Sequence, residues 1–215
     1  MVVEMDEETR KEVEKRFKAL ENQVTMHLFL EDHDCLYCND TRGLTGNVAE
    51  VSDKIELVEH SFPQEKETAT EMGIRFTPAI VLHGEKKYKV RFYGIPAGHE
   101  FGALISDIIN VSTGSVDLPD EMVADIEAID RAVHVQVFTT PQCPYCPNVV
   151  RLAHQAAIIN PKIEADMIES LEFKELAQQY EVFGVPKAIF NEVITAEGNI
   201  TPNEFVDKLY EATEE

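Results

Sequence analysis

The feature that most constrains this chain is an internal duplication built on two close pairs of cysteines. Cys35 and Cys38 recur as Cys143 and Cys146, and Pro78 recurs as Pro186, all at one offset of 108 residues (143 − 35). Around these fixed points Tyr37 matches Tyr145, Leu44 matches Leu152, Ala49 matches Ala157 and Ala69 matches Ala177. The triplet Lys54-Ile55-Glu56 matches Lys162-Ile163-Glu164. Further on the offset falls to 104, where Glu100-Phe101 aligns with Glu204-Phe205, so the second copy has lost about four residues from the hairpin before its last helix. Insertions and deletions of this kind collect in turns. A duplicated unit of about 100 residues is of single-domain size. The stretch from Ser112 to Pro119 is small, polar and turn-forming, and makes the natural joint. Two domains are therefore expected, over residues 1–115 and 116–215.

Each copy has enough apolar sequence for a core, since 44% of the 215 residues are hydrophobic. Forty acidic residues against nineteen basic ones give a formal charge of −21. Nucleic acid and anionic lipid surfaces would be repelled by such a chain, so neither is an expected partner. The first ten residues carry Glu4, Asp6, Glu7 and Glu8 and lack the order of a signal peptide, and no apolar run approaches the roughly 20 residues that span a bilayer. A cytoplasmic location is expected. All four cysteines fall in the two pairs. Bridges three residues apart close almost no chain, so these pairs are poor staples and read as chemistry. Joint zinc ligation is disfavoured, because zinc sites separate their halves by about 12 to 20 residues and Cys38 lies 105 before Cys143. The seven histidines are scattered, and His60, His83, His134 and His154 read as core or surface residues.

Local patterns give the order of elements. His27 to Leu30 and Val135 to Phe138 are strand-like runs leading into the cysteines. After Cys143, Val149, Val150, Leu152, Ala153, Ala156 and Ala157 recur at helical spacing, and Pro147 falls in the first turn, where its missing N–H has no partner to lose. Each pair thus sits at a helix N-terminus. A strand follows near Ile55 or Ile163, then a helix ending near Met72 or Tyr180, then a strand after Pro78 or Pro186, a hairpin partner and a closing helix. Closing helices are expected from about His99 to Val111 and from Pro202 to Ala212, with His99 and Glu100 as a helix start. A further helix precedes each copy, with Val13, Phe17 and Leu20 on one face of the first and Met122, Ile126 and Ile129 on one face of the second.

This order, with a CxxC at the first strand-to-helix turn and a proline 43 residues later, resembles the thioredoxin fold. Glu169, Ala177, Tyr180, Val182 and Val185-Pro186 follow the thioredoxin-like run, and Pro144-Tyr145 is the glutaredoxin dipeptide. The segment Thr139 to Pro147 and the run Tyr93-Gly94-Ile95-Pro96-Ala97-Gly98-His99-Glu100-Phe101-Gly102 together resemble the glutaredoxin-like protein disulfide oxidoreductases of thermophilic archaea and bacteria. The resemblance implies an α/β chain of two tandem thioredoxin-like domains, each a four-stranded mixed sheet flanked by helices. It implies cis prolines at Pro78 and Pro186 beside the two disulfides. It also implies protein or peptide thiol and disulfide clients and a thioredoxin-reductase-like flavoenzyme as electron partner. No prosthetic group or metal is expected, and a homo-oligomer is left open.

The expected chemistry is thiol–disulfide exchange. A free thiol has a pKa near 8.5, and a helix N-terminus or a CxxC context lowers it to roughly 3.5 to 7.5. Cys143 and Cys35 should attack and Cys146 and Cys38 should resolve the mixed disulfide. The backbone of Val185 and Thr77, before Pro186 and Pro78, should pair with an extended client, while Tyr145 and Tyr37 shield the disulfides. The two sites should differ. Glu31, Asp32, Asp34 and Asp40 surround Cys35, with His33 as the one nearby group to offset them, whereas residues 139–150 carry no charge. Cys143 should therefore ionise more readily and do most of the exchange. Leu36 also departs from the glutaredoxin proline. Thioredoxins carry a buried aspartate before the CxxC. Here Phe29 and Val137 are aligned with that position, which leaves Glu56, Glu164 and Glu169 as candidate carboxylates for proton transfer. The alternatives are an electron relay between a flavin reductase and a peroxidase, and a non-catalytic holdase that binds clients through the proline-flanked groove.

Overall fold

The computed structural model describes residues 5–31 and 35–214. Asp32, His33 and Asp34, three of the charged groups weighed around Cys35, lie outside the described residues. The first half runs α1 (Glu7–Phe17), β1 (Val24–Leu30), α2 (Cys38–Ala49), β2 (Ile55–Ser61), α3 (Lys66–Glu71), β3 (Ala79–His83), β4 (Lys87–Tyr93) and α4 (Glu100–Thr113). The second repeats it as α5 (Asp120–Glu127), β5 (Val133–Thr139), α6 (Cys146–Ile159), β6 (Ile163–Glu169), α7 (Lys174–Gln179), β7 (Lys187–Phe190), β8 (Ile194–Glu197) and α8 (Pro202–Glu214).

Local chemistry explains the helix ends. Asp6 caps α1 by accepting from the Thr9 N–H at 2.7 Å, while Glu7 and Glu8 at its start and Lys15 and Arg16 at its end complement the helix dipole. The facing residues expected on the leading helices are buried, although Leu20 and Ile129 lie just beyond the helices proper.

Strand residues alternate between two cores. Val24, Met26 and Leu28 of β1 and Val133, Val135 and Val137 of β5 point into a large cluster beneath α1, α2, α4, α5, α6 and α8. Phe29 and Phe138 point to the opposite face, where Ala69 of α3 and Ala177 of α7 cover them. Helices therefore cover both faces of the sheet.

The two expected four-stranded sheets are fused. Strand order is β2-β1-β3-β4-β6-β5-β7-β8, a single eight-stranded sheet in which β4 runs parallel to β6 across the joint. Two edges that would otherwise be open pair with each other. The repeat also slips by one residue ahead of the cysteines. Val24 and Val133 both begin their strands, and Val24 pairs with Ile55 as Val133 pairs with Ile163, so the strands are offset by 109 and the cysteines by 108. The partner of Phe29 is accordingly Phe138, not Val137. The deletion in the second copy shortens its hairpin, leaving β7 and β8 at four residues each around a turn with Asn191 and Glu192 at positive φ.

An ion network locks the joint. Arg91 of β4 lies opposite Asp166 of β6 and donates Nε to its carboxylate at 2.6 Å. Arg75 Nη2 reaches the other carboxylate oxygen at 2.8 Å and His134 Nε2 reaches it at 2.6 Å. Complete burial by itself would raise the Asp166 carboxyl, yet these partners hold it down at about 2. Between α4 and α6, Asp107 and His154 form a second fully buried pair at 2.6 Å.

Candidate functional site

In both copies the second cysteine is the first residue of a helix, with Tyr37 or Tyr145 as the residue before it. Neither tyrosine caps the helix with its side chain, so the first-turn backbone N–H groups receive no side-chain acceptor from it. Cys35 is bridged to Cys38 and Cys143 to Cys146, with Cα–Cα separations of 5.4 and 5.5 Å. In each pair the first cysteine is the less buried. Cys35 is half-buried against a buried Cys38, and Cys143 is 8% exposed against a fully buried Cys146.

At the second site the Cys146 N–H donates to Cys143 Sγ at 3.1 Å. The same sulfur lies 3.7 Å from the carbonyl oxygen of Val185. The Thr77–Pro78 and Val185–Pro186 bonds are both cis, and each proline is buried behind a half-exposed residue. The carbonyls of the two prolines accept from equivalent residues, Gly94 N–H at 2.9 Å and Gly198 N–H at 2.8 Å. The repeat is thus carried down to single hydrogen bonds.

The surroundings differ. A cavity of about 230 Å³ at the first site is lined by Cys35, Leu36, Tyr37, Thr77 and Pro78 together with Leu171, Glu172, Phe173 and Lys174. The last four belong to the loop after β6 and the start of α7, so the second half walls the first site. Leu36 is 82% exposed and Leu171 half-exposed. The second site is flanked by exposed Tyr145 and, two residues before Val185, by Phe183 at 94% exposure.

Carboxylates mark the difference further. Glu169 is buried; its Oε2 accepts from the Glu172 N–H at 2.6 Å, and burial raises its pKa. Glu172 Oε1 accepts from the Ile95 N–H at 2.7 Å while burial pushes its carboxyl up to about 7. Glu164 instead pairs with Arg91 and Lys89 on the joint, and Glu56 is exposed and accepts from Gln23. Glu100 begins α4 as expected and is also buried, both carboxylate oxygens lacking a hydrogen-bond partner, which pushes it up to about 8. Leu171, Glu172 and Phe183 belong to no motif or periodicity in the sequence. The one signal they offer is a difference in residue type from their repeat mates Pro63, Gln64 and Arg75.

The thioredoxin domain family matches residues 133–211. The protein disulfide oxidoreductase of Aeropyrum pernix superposes with a TM-score of 0.92 and 28% identity, over 99% of this chain and 95% of that one. The NTD_N/C domain of alkylhydroperoxide reductase AhpF from Enterococcus faecalis gives a TM-score of 0.90 and 26% identity, over 96% and 100%. The chain is a thioredoxin-fold protein with two CxxC motifs. Among curated relatives, the AhpF-type alkyl hydroperoxide reductase of Staphylococcus epidermidis is 25% identical over 207 residues, which is 95% of this chain and 38% of that protein. The chain therefore spans little more than a third of the length of that relative. No helix among the described residues is long and apolar enough to cross a membrane.

Proposed function

We propose that this thioredoxin-fold protein is a thiol–disulfide oxidoreductase that reduces, forms or rearranges protein disulfides. The observation that carries this reading is the Cys146 N–H aimed at Cys143 Sγ, 3.1 Å away. A backbone donor and the helix dipole stabilise charge on that sulfur, so its thiolate is favoured once the disulfide is opened. Cys143 then attacks a client disulfide, and Cys146, three residues on, displaces the client thiol. Electrons pass from the dithiol to the client, or in the opposite direction when the site starts oxidised. Cys35 and Cys38 repeat these roles in the first copy. Val185 and Thr77 offer backbone to an extended client beside Pro186 and Pro78, and Tyr145 and Tyr37 border the entrance. Residues 1–115 and 116–215 form the two functional units. Clients are protein or peptide thiols, a flavoenzyme of the thioredoxin-reductase kind exchanges electrons with the dithiols, and the cytoplasm is the setting.

The asymmetry expected from the sequence belongs to the same reading. Asp40 and Glu172 lie in one electrostatic neighbourhood by the first site, and negative charge there, which Glu172 adds to when it gives up its proton, opposes a thiolate on Cys35. Cys143 therefore carries most of the exchange. A second reading, an electron relay to a peroxidase, is favoured by the similarity to AhpF-type alkyl hydroperoxide reductases over 95% of this chain.

Insulin reduction driven by dithiothreitol tests the proposal. Cys143→Ser should lower the rate by about tenfold or more, with Cys35→Ser having the smaller effect, since one pKa unit changes the thiolate fraction roughly tenfold. Rates equal to wild type in both variants would leave only client binding, the holdase reading.

A further inference from the structure

A carboxylate of the second half lies against the first half's redox site, with one of its oxygens buried. Glu172 stands in the loop between β6 and α7, yet it lines the cavity at Cys35. Its Oε1 is fixed by the Ile95 N–H, next to Gly94, whose own N–H binds the Pro78 carbonyl. The backbone comes very close here. A Cβ on Gly94 would lie 2.7 Å from Glu169 Cβ and 2.9 Å from Glu172 Oε1, and Gly94 has φ 87°. Glu172 Oε2, by contrast, is buried with no hydrogen-bond partner. An unpaired buried carboxylate oxygen carries a desolvation penalty, which is most simply lifted by a proton.

We propose that Glu172, supplied by the second half, is the proton carrier for exchange at Cys35–Cys38. This rests on the exchange chemistry proposed above. When Cys38 displaces a client from Cys35, its S–H must lose a proton as the new Cys35–Cys38 bond forms and the Cys35–client S–S bond breaks. The client sulfur leaves with the electron pair of that bond. Glu172 takes the proton on its free oxygen and returns it to the departing client thiolate, so the carboxylate is regenerated and the dithiol has lost two electrons to the client. Glu169 from β6, Asp40 from α2 and Lys174 from α7 face the same region. Burial, with the Glu169 and Asp40 carboxylates adding to it, places the Glu172 titration at about 7, where a group can both accept and give a proton near neutrality.

Stopped-flow reaction of the reduced protein with Ellman's reagent tests this, in a Cys143→Ser/Cys146→Ser background where only the first pair reports. Attack by Cys35 releases one thionitrobenzoate in a concentration-dependent phase. Displacement by Cys38 releases the second in a unimolecular phase, and this leaving group needs no proton, so the phase isolates removal of the proton from Cys38. Glu172→Gln keeps an oxygen for Ile95 and should slow the second phase about tenfold or more at pH 7, without slowing the first, and should remove its inflection near 7. Glu172→Asp should restore the inflection. An unchanged second phase in Glu172→Gln would overturn the inference, as would equal slowing of Glu172→Asp and Glu172→Gln across the whole pH range, which marks a structural role. A parent protein with no second phase at all would instead defeat the exchange reading itself at this site.

Discussion

The two halves present the same backbone device in different electrostatic settings. Both start a helix on the second cysteine, both place a cis proline behind the disulfide, and both tie that proline's carbonyl to a glycine N–H. The second site has no charged residue within 139–150, and its first sulfur receives a backbone N–H. The first is walled by a loop from the other half that carries Glu172 and Lys174. Duplication preserved the frame while the surroundings diverged. The two sites thus share their CxxC frame and differ in what faces it.

The largest effect should come from breaking the joint that lets one half wall the other's site. Asp166 is fully buried and holds Arg91 and Arg75 of the first half as well as His134 of its own. Asp166→Asn removes the fully buried carboxylate and leaves the Arg91 guanidinium only Glu164, a change bounded above by the about 3 to 5 kcal/mol lost when a buried charge is left uncompensated. Urea unfolding should show a lower midpoint, and a split into two transitions would mean the halves are held as one unit mainly through this network. An unshifted midpoint would show that the β4–β6 ladder alone suffices.

Much of this was readable from residue spacing, and the reasons are physical. The offset of 108 holds for the cysteines and prolines because the helix start and the cis proline must meet at one disulfide, while the one-residue slip falls in the segment between the strand and the cysteines. Alternation along Val133, Val135 and Val137 and the helical recurrence of Val149, Val150 and Leu152 follow from burying one face. The fusion of the two sheets was not legible, because β4 carries Lys87, Lys89 and Arg91, which read as the charges of a protected edge. The partners of Lys89 and Arg91, Glu164 and Asp166, lie 73 to 75 residues away, and only tertiary contact turns edge charges into a joint. Glu172 escaped for a similar reason: a loop glutamate in an acidic chain looks solvated until another element's N–H and a close glycine bury it.

A smaller and sharper contrast lies at one repeat position of the two halves. Gly94 and Gly198 have φ of 87° and 79°, so any side chain is strained at either. A Cβ at Gly94 would also press on Glu169 and Glu172, whereas at Gly198 it would meet nothing within 4 Å. Gly94→Ala should therefore cost about 2 to 3 kcal/mol and Gly198→Ala about 1, the difference being the overpacking. Thermal unfolding of the two variants would measure it. Equal losses would mean the loop after β6 yields freely, and with it the wall of the first site.

The smallest effect separates the halves by pH. His27, His60 and His83 cluster on β1, β2 and β3, with His27 Nδ1 and His60 Nε2 3.0 Å apart and the His27 and His83 ring centroids 4.8 Å apart. Pairing register puts Gln136, Ile168 and Asn191 at the equivalent places in the second half, none of which gains a proton. Burial, aided by the neighbouring His60, His27 and Lys87, holds His27 and His83 down to about 4. Unfolding returns them to about 6.5, so between these values the unfolded chain binds more protons and stability must fall as pH drops from 6.5 toward 4. Amide exchange corrected for its intrinsic pH dependence should show β1 losing protection over this window ahead of β5. His83→Asn, which installs the residue the second half uses, should flatten the slope in β1, and an unaltered slope would place the acid sensitivity outside this cluster.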